Sequence, residues 1–279
     1  MPISRLAGMM RRPLQCLGLG ALLLLAGCGE TPTGRSQLAL VPEVLMAKMG
    51  DDAFAQMRQQ GQEVSGTPVS QRVECISHAL LTATERLYPE VEMPGEWQVV
   101  LFEESSPNAF ALPGGRIGVH TGLLRVAESP AQLAAVIGHE IAHVLADHGN
   151  ERMTQQLGIK AALLVVGLLG EGDMGQQAIL QALGVGARLG VTLPFSRAHE
   201  EEADLMGLRI MAAAGYDPAE SVALWRNMAN ASSGQPPELL STHPAHESRI
   251  ESLQSNLPQA RELAQGSAPD CGQGRFEVR

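Results

Sequence analysis

The sequence predicts an α+β fold, mostly helical with a small β-sheet, on three observations. Apolar residues recur at helical spacing in most of the long segments, as at Val73, Ile76, Leu80 and Leu81. One short run, WQVVLF at 97–102, is instead apolar and β-prone, and a Pro-Gly-Gly turn at 113–115 follows it. A length of 279 residues with 44% hydrophobic content then suffices for one domain with a real core and peripheral segments.

Residues 1–27 carry Arg5, Arg11 and Arg12, then an apolar stretch at 17–25, then small residues before Cys28. This is the layout of a cleaved export signal, a retained anchor helix being the alternative. The apolar part falls short of the roughly twenty residues that a membrane span needs. LAGC at 25–28 resembles a bacterial lipobox, which implies acyl chains on Cys28 and, because several chains act together, a stable anchor. Gly29, rather than Asp, after that cysteine favours the outer membrane by the same resemblance. With the leader gone, Cys75 and Cys271 remain besides Cys28. In an exported protein they are expected to pair, two free thiols being the alternative. Three arginines and no acidic residue leave with the leader, so the mature chain would carry 17 Lys and Arg against 30 Asp and Glu, −13 in place of −10. Such an excess argues against nucleic acid and against electrostatic docking on anionic lipid.

Residues 28–68 read as a tether with one packing helix at 42–60, residues 69–258 as the main domain, and residues 259–279 as a polar tail, irregular apart from any Cys271 bridge. A core helix is expected over 71–88. The strand at 97–102 and the hairpin NAFALPGGRIGVH at 108–120 form the sheet, with Arg116 to His120 returning after the turn. Ser129 and Pro130 suit the start of a helix that ends near Gly149. The apolar runs at 161–169 and 178–191, with GEGDMGQQ between them, make segment 158–194 either a packed helical hairpin or a mobile lid. Asp217 and Pro218 start a further helix to about Asn230. A Ser, Gly and Pro stretch then leads to His243.

The chemistry concentrates in VIGHEIAHVLADH at 136–148. His139 and His143, four apart, leave one face of a helix roughly 6 Å apart along its axis, so both rings can reach one ion. Glu140 points about 100° round the helix from His139, outside the ligand set but able to act as general base on an attacking water. A catalytic zinc usually has three protein ligands. A third histidine six residues after the second is excluded, because Ala146 and Gly149 stand where that template needs Gly and His. SRAHEEEADLMGL at 196–208 offers Glu200 instead, with Asp204 one turn later on the same face. Glu200 can ligate, while Asp204 accepts the free N–H of His139 or His143; the spacing does not choose between them. Small Ala203 and Gly207 would let this helix approach the first. Glu201 and Glu202 read as a solvated face.

Five ordered blocks carry a resemblance: TGRSQL at 33–38, NAFALPGG at 108–115, GHEIAH at 138–143, SRAHEEEAD at 196–204 and STHPAHESRI at 241–250. Together they resemble the membrane-associated zinc metallopeptidases that include the CAAX prenyl proteases, HtpX, the Oma-type proteases and the bacterial lipoproteins LoiP and BepA. The resemblance implies a gluzincin-type zincin domain holding one Zn2+ per chain on His139, His143 and Glu200, with Glu140 as base and Asp204 ending an E-x-x-x-D motif. It implies an edge strand beside the metal that takes substrate as an added strand. That role is expected of Arg116, Ile117, Gly118 and Val119, the alternative being a hairpin that only packs the core. His243 is expected over the zinc, as a silencing fourth ligand or as a donor to the reaction oxyanion, and Arg249 beside an active-site carboxylate. His78, His120, His148, His199 and His246 are expected to be structural or surface residues. For want of a long C-terminal extension the layout is closer to LoiP than to BepA.

The implied function is zinc-dependent endoproteolysis of unfolded or misassembled envelope proteins at the periplasmic face of the outer membrane. The outer-membrane assembly machinery is a candidate partner. A client-binding lipoprotein, its zinc blocked by His243, is the rival reading.

Overall fold

The computed structural model describes residues 28–169, 195–231, 238–243, 247–264 and 266–277. The expected leader at 1–27 and most of the expected lid, residues 170–194, lie outside them. The element order is β1 (Cys28–Glu30), β2 (Ser36–Leu38), α1 (Glu43–Gln60), α2 (Pro68–Leu87), β3 (Gln98–Phe102), β4 (Ala109–Leu112), β5 (Arg116–His120), α3 (Thr121–Val126), α4 (Pro130–Leu145), α5 (His148–Leu169), α6 (Arg197–Ala213), α7 (Ala219–Ala231), α8 (Glu238–Thr242) and α9 (Glu247–Arg261). Mostly helical with small sheets, this is the expected class.

The core forms around α4, in which every residue from Gln132 to His143 is buried. A helix covered all round needs no polar face, which is why this segment reads as an unbroken apolar run interrupted only by its chemistry. Helices α2, α6 and α7 and strand β4 pack around it. Its start follows expectation, with Pro130 in the first turn and the Ser129 hydroxyl accepting from the Gln132 N–H at 3.2 Å. Its end comes earlier than Gly149. The helix stops at Leu145, Asp147 takes φ of 50°, and a new helix, α5, begins at His148 and runs on past Gly158. A left-handed residue ends one helix and redirects the chain, and Asp tolerates that conformation better than most side chains.

The main sheet has the order β3-β5-β4, with β5 parallel to β3 and antiparallel to β4. Gly114 and Gly115, at φ of 87° and 80°, make the turn between β4 and β5. This corrects the expected edge. Strand β5, with Arg116, Ile117, Gly118 and Val119, is the centre of the sheet, hydrogen-bonded on both sides, and Ile117, Gly118 and Val119 are buried. Gly118 is there for packing, since a Cβ would lie 2.2 Å from the Phe110 ring of the paired strand. The edges are β3 and β4: the outer side of β3 is partly covered by backbone bonds with residues 62–64, whereas β4 pairs only with β5 among the described strands.

The segment before α1 is no loose tether. β1 and β2 form a small hairpin, and its Thr31, Thr33 and Arg35 bond to Glu202 on α6. At the other terminus α9 continues past Pro258 to Arg261. The tail beyond it is tied to α2, where the Arg72 guanidinium donates to the carbonyls of Cys271, Gly272 and Gly274 and covers the Phe276 ring. Cys75 on α2 and Cys271 are joined by a disulfide. Among the described residues no helix is long and apolar enough to cross a membrane.

Candidate metal centre

Helix α4 presents the two imidazoles with their Nε2 atoms 3.0 Å apart. From α6, Glu200 brings Oε2 to 3.5 Å from His139 Nε2 and Oε1 to 3.5 Å from His143 Nε2. His243, just past α8, sets its Nδ1 2.9 Å from Glu200 Oε1 and 3.2 Å from His139 Nε2. All four side chains are buried, and one donor atom from each lies within 4.8 Å of the others. Ligands at about 2.0–2.1 Å from a tetrahedral ion stand roughly 3.3 Å from one another, so these separations fit one small cation at their centre. Among the described residues, buried Glu200 Oε2 and Glu140 Oε1 have no hydrogen-bond partner, which leaves the first free to face a cation and the second free to face a water. A donor set of imidazole nitrogens and a carboxylate oxygen suits zinc.

The two helices reach this range because nothing separates their backbones. A Cβ on Gly207 would lie 2.8 Å from the His139 nitrogen and 3.0 Å from the Gly138 carbonyl carbon. Ala203, one turn before Gly207, is fully buried. At the start of α6 the Ser196 hydroxyl accepts from the His199 N–H, and the His199 ring bonds the Ser196 N–H in return. That closed cap stands immediately before Glu200.

Behind the donors lie two supports. Asp204 Oδ1 is 3.0 Å from His139 Nδ1, so of the two histidines it faces His139. Arg249 contacts the same oxygen at 2.6 Å, approaches Glu200 Oε2 at 3.3 Å, and lies 3.4 Å from the centre of the Trp225 ring. His143 is held differently, its Nδ1 standing 2.9 Å from His148 Nδ1 while His148 Nε2 stands 3.0 Å from Glu202 Oε2. Glu202 therefore corrects the expectation of a solvated face. It is buried, whereas its neighbour Glu201 is exposed as expected. His148, Glu202 and the Thr31–Arg35 contacts were not predicted. The TGRSQL block was a signal that the segment matters, but no spacing tells where it docks.

The buried carboxylates favour positive charge here, whether a metal cation or a proton on His139. Burial alone would raise the Glu200 pKa, but bonds with His139, His143 and His243 hold it far below the ordinary carboxylate range. Burial opposes charge on His139, yet Asp204 and Glu200 push its pKa up to about 9. Burial holds His143 well below its ordinary value, so its ring stays neutral and able to ligate. Glu202 is also held far down: burial acts against it, and His148, Thr31, Thr33 and Arg35 overcome that.

Glu140 is buried at the wall of a cavity of about 540 Å³ that Asn108, Phe110, Leu112, Phe195 and His243 also line. Its Oε1 stands 3.4 Å from His243 Nε2. A second cavity, of about 660 Å³, shares Ala111, Leu112, Arg152 and Phe195 with the first. The two thus flank β4. Of the residues expected to bind substrate, Arg116 lines the second cavity and pairs with Asp51 at 2.8 Å, whereas Ile117, Gly118 and Val119 line neither. Cys28 opens β1, far along the chain from these donors.

Residues 73–257 match the model of Peptidase family M48. Relatives include mitochondrial metalloendopeptidase OMA1 of Arabidopsis thaliana, 32% identical over 222 residues that cover 78% of this chain and 42% of that protein. The OMA1 of Saccharomyces cerevisiae is 33% identical over 253 residues, covering 85% of this chain and 70% of that protein. The beta-barrel assembly-enhancing protease of Escherichia coli is 29% identical over 231 residues, covering 80% and 46%. The chain spans about half the length of the Arabidopsis and Escherichia relatives. With the match running through two thirds of its length, around a buried cluster that could hold a metal ion, the chain belongs to peptidase family M48.

Proposed function

We propose that the chain is a zinc-dependent endopeptidase, anchored by lipid on Cys28 at the periplasmic face of a bacterial outer membrane, that cuts unfolded or misassembled envelope proteins. One observation carries the catalytic part: Glu140 borders, at a cavity beside a free β-edge, the cluster formed by His139, His143 and Glu200. Zinc held by those three residues would polarise the scissile carbonyl and acidify the attacking water. Glu140 takes the proton of that water and passes it to the leaving amine. Strand β4 gives the free edge on which an extended peptide can be held by backbone hydrogen bonds, with little demand on its side chains. Unfolded chains meet that demand.

The cellular part rests on other features. LAGC at 25–28 has lipobox form, and a disulfide between Cys75 and Cys271 suits an oxidising compartment. The bacterial relative is named for β-barrel assembly, which favours outer-membrane assembly machinery as a partner here, although other relatives are named as mitochondrial. The acidic balance disfavours nucleic acid.

A second reading has one observation in its favour. His243 stands among the donors, where a fourth ligand would block the position a substrate carbonyl needs, leaving a lipoprotein that binds clients and seldom cuts. Zinc content and casein cleavage by the wild type and Glu140→Gln separate the two. An endopeptidase loses 10²–10⁴-fold in rate in the variant while keeping its zinc. Equal, negligible cleavage by both proteins would favour the binder.

A further inference from the structure

The contacts behind His143 run through a chain of groups whose proton positions are mutually dependent. For His143 Nε2 to offer a lone pair to a cation, its Nδ1 must carry the proton and donate it. The group facing Nδ1, at 2.9 Å, is His148 Nδ1, which must then accept. A neutral His148 that accepts at Nδ1 carries its proton on Nε2, and that atom faces Glu202 Oε2 at 3.0 Å. A carboxylate can only accept, so Glu202 selects the His148 tautomer and, through it, that of His143. Glu202 is itself immobilised. Arg35 Nε donates to Oε2 at 2.6 Å, and the Thr31 and Thr33 hydroxyls donate to Oε1. Arg35 also pairs with Glu151 at 2.8 Å, on the first turn of the helix that carries His148.

We propose that His148 and Glu202 are positioning residues that fix the tautomer and ring orientation of the metal ligand His143, and that the β1–β2 hairpin, through Thr31, Thr33 and Arg35, is a structural part of the metal centre. The proposal rests on His143 being a zinc ligand. His139 has a carboxylate directly behind it, whereas His143 reaches one through an intervening imidazole. The segment next to the anchoring cysteine thereby sets the affinity of a site that lies more than a hundred residues along the chain.

The test is the zinc dissociation constant, measured by competition with a chromophoric chelator on the whole mature chain, with melting of the metal-free protein recorded alongside. His148→Leu removes acceptor and donor together and is expected to weaken zinc binding by tenfold or more, within the 10–100-fold range usual for such supports. His148→Gln, whose amide offers an acceptor oxygen and a donor NH2 group, is expected to recover most of that loss. Glu202→Ala leaves His148 in place without its anchor, carries the test if the leucine variant does not fold, and is expected to weaken binding similarly. A folded leucine or alanine variant that binds zinc within twofold of wild type overturns the proposal, as does a glutamine variant no better than leucine. A wild-type chain that binds no zinc overturns the ligand assignment itself, a result distinguishable from the others.

Discussion

Arg249 and Asp204 form a buried ion pair, 2.6 Å from Nη2 to Oδ1, against the back of the metal centre. The carboxylate is shared, since the same oxygen faces His139 Nδ1 at 3.0 Å. Removing one partner of a buried pair strands the other's charge and costs about 3–5 kcal/mol. Arg249→Leu should therefore lower the denaturation midpoint of the metal-free protein. The double variant with Asp204→Asn should lose clearly less than the two single losses combined. Arg249→Lys should not rescue, because an ammonium neither stacks flat on Trp225 nor spans Asp204 and Glu200 together. Additive losses would show the pair to be uncoupled.

Gly207 sets how closely α4 and α6 approach. A methyl group there meets the backbone of Gly138 and His139, which cannot move aside as a flexible side chain could. Overpacking of this kind costs about 1–3 kcal/mol. Gly207→Ala should lower the melting temperature and also weaken zinc binding, because Glu200 is carried on the displaced helix. Gly158→Ala is the control, in an exposed helical position with open space, where alanine should stabilise by about 1 kcal/mol. Unaltered zinc affinity in a folded Gly207→Ala protein would mean that the close approach does not position the carboxylate.

His243 takes the place of a fourth donor, 2.9 Å from Glu200 Oε1. Its replacement by alanine should weaken zinc binding severalfold and speed casein cleavage, because the position a substrate carbonyl needs becomes free. A slower enzyme with unchanged zinc affinity would assign His243 to the oxyanion instead.

Asp147 gives the fold a pH dependence. Burial, together with the charges of Glu43 and Glu151, raises its pKa from 3.8 to about 6, against the opposing bond from Asn150. A carboxyl whose folded pKa is raised favours folding only while protonated, so its contribution is lost as pH rises from about 4 to about 6. Asp147→Asn, which also tolerates the left-handed conformation, should stabilise the protein by about 1 kcal/mol at pH 7.5 after allowance for solvent screening. It should make no difference at pH 4. Urea unfolding at the two pH values measures this, and an equal gain at both would assign the effect to backbone conformation.

Segments with a period of their own were readable from the chain. The α2 helix, the β3 strand, the hairpin turn and the cap of α4 all follow from side-chain spacing and local turn chemistry, which act within a few residues. Strand order is not local. The run 116–120 reads equally well as an edge or a centre, and its burial between β3 and β4 comes from a parallel pairing with β3 that skips the intervening strand β4. The end of α4 was read at Gly149 rather than Leu145, because VLADH continues the helical pattern up to that glycine and nothing local marks Asp147 for the left-handed turn.

At the metal centre the chain alone determined the residues that a helix repeat brings together: His139 with His143, Glu140 beside them, and Glu200 with Asp204. One turn of helix sets those relationships before any tertiary contact exists. Only the folded structure decided that Asp204 stands behind His139, that Arg249 neutralises it, and that Glu202 turns inward to His148 and the amino-terminal hairpin while Glu201 faces solvent. Those partners lie between 45 and 171 residues apart in the chain, counting Asp204 to Arg249 and Thr31 to Glu202. At that separation no repeat relates two side chains, and which carboxylate is buried depends on which cation or imidazole the packing brings to it.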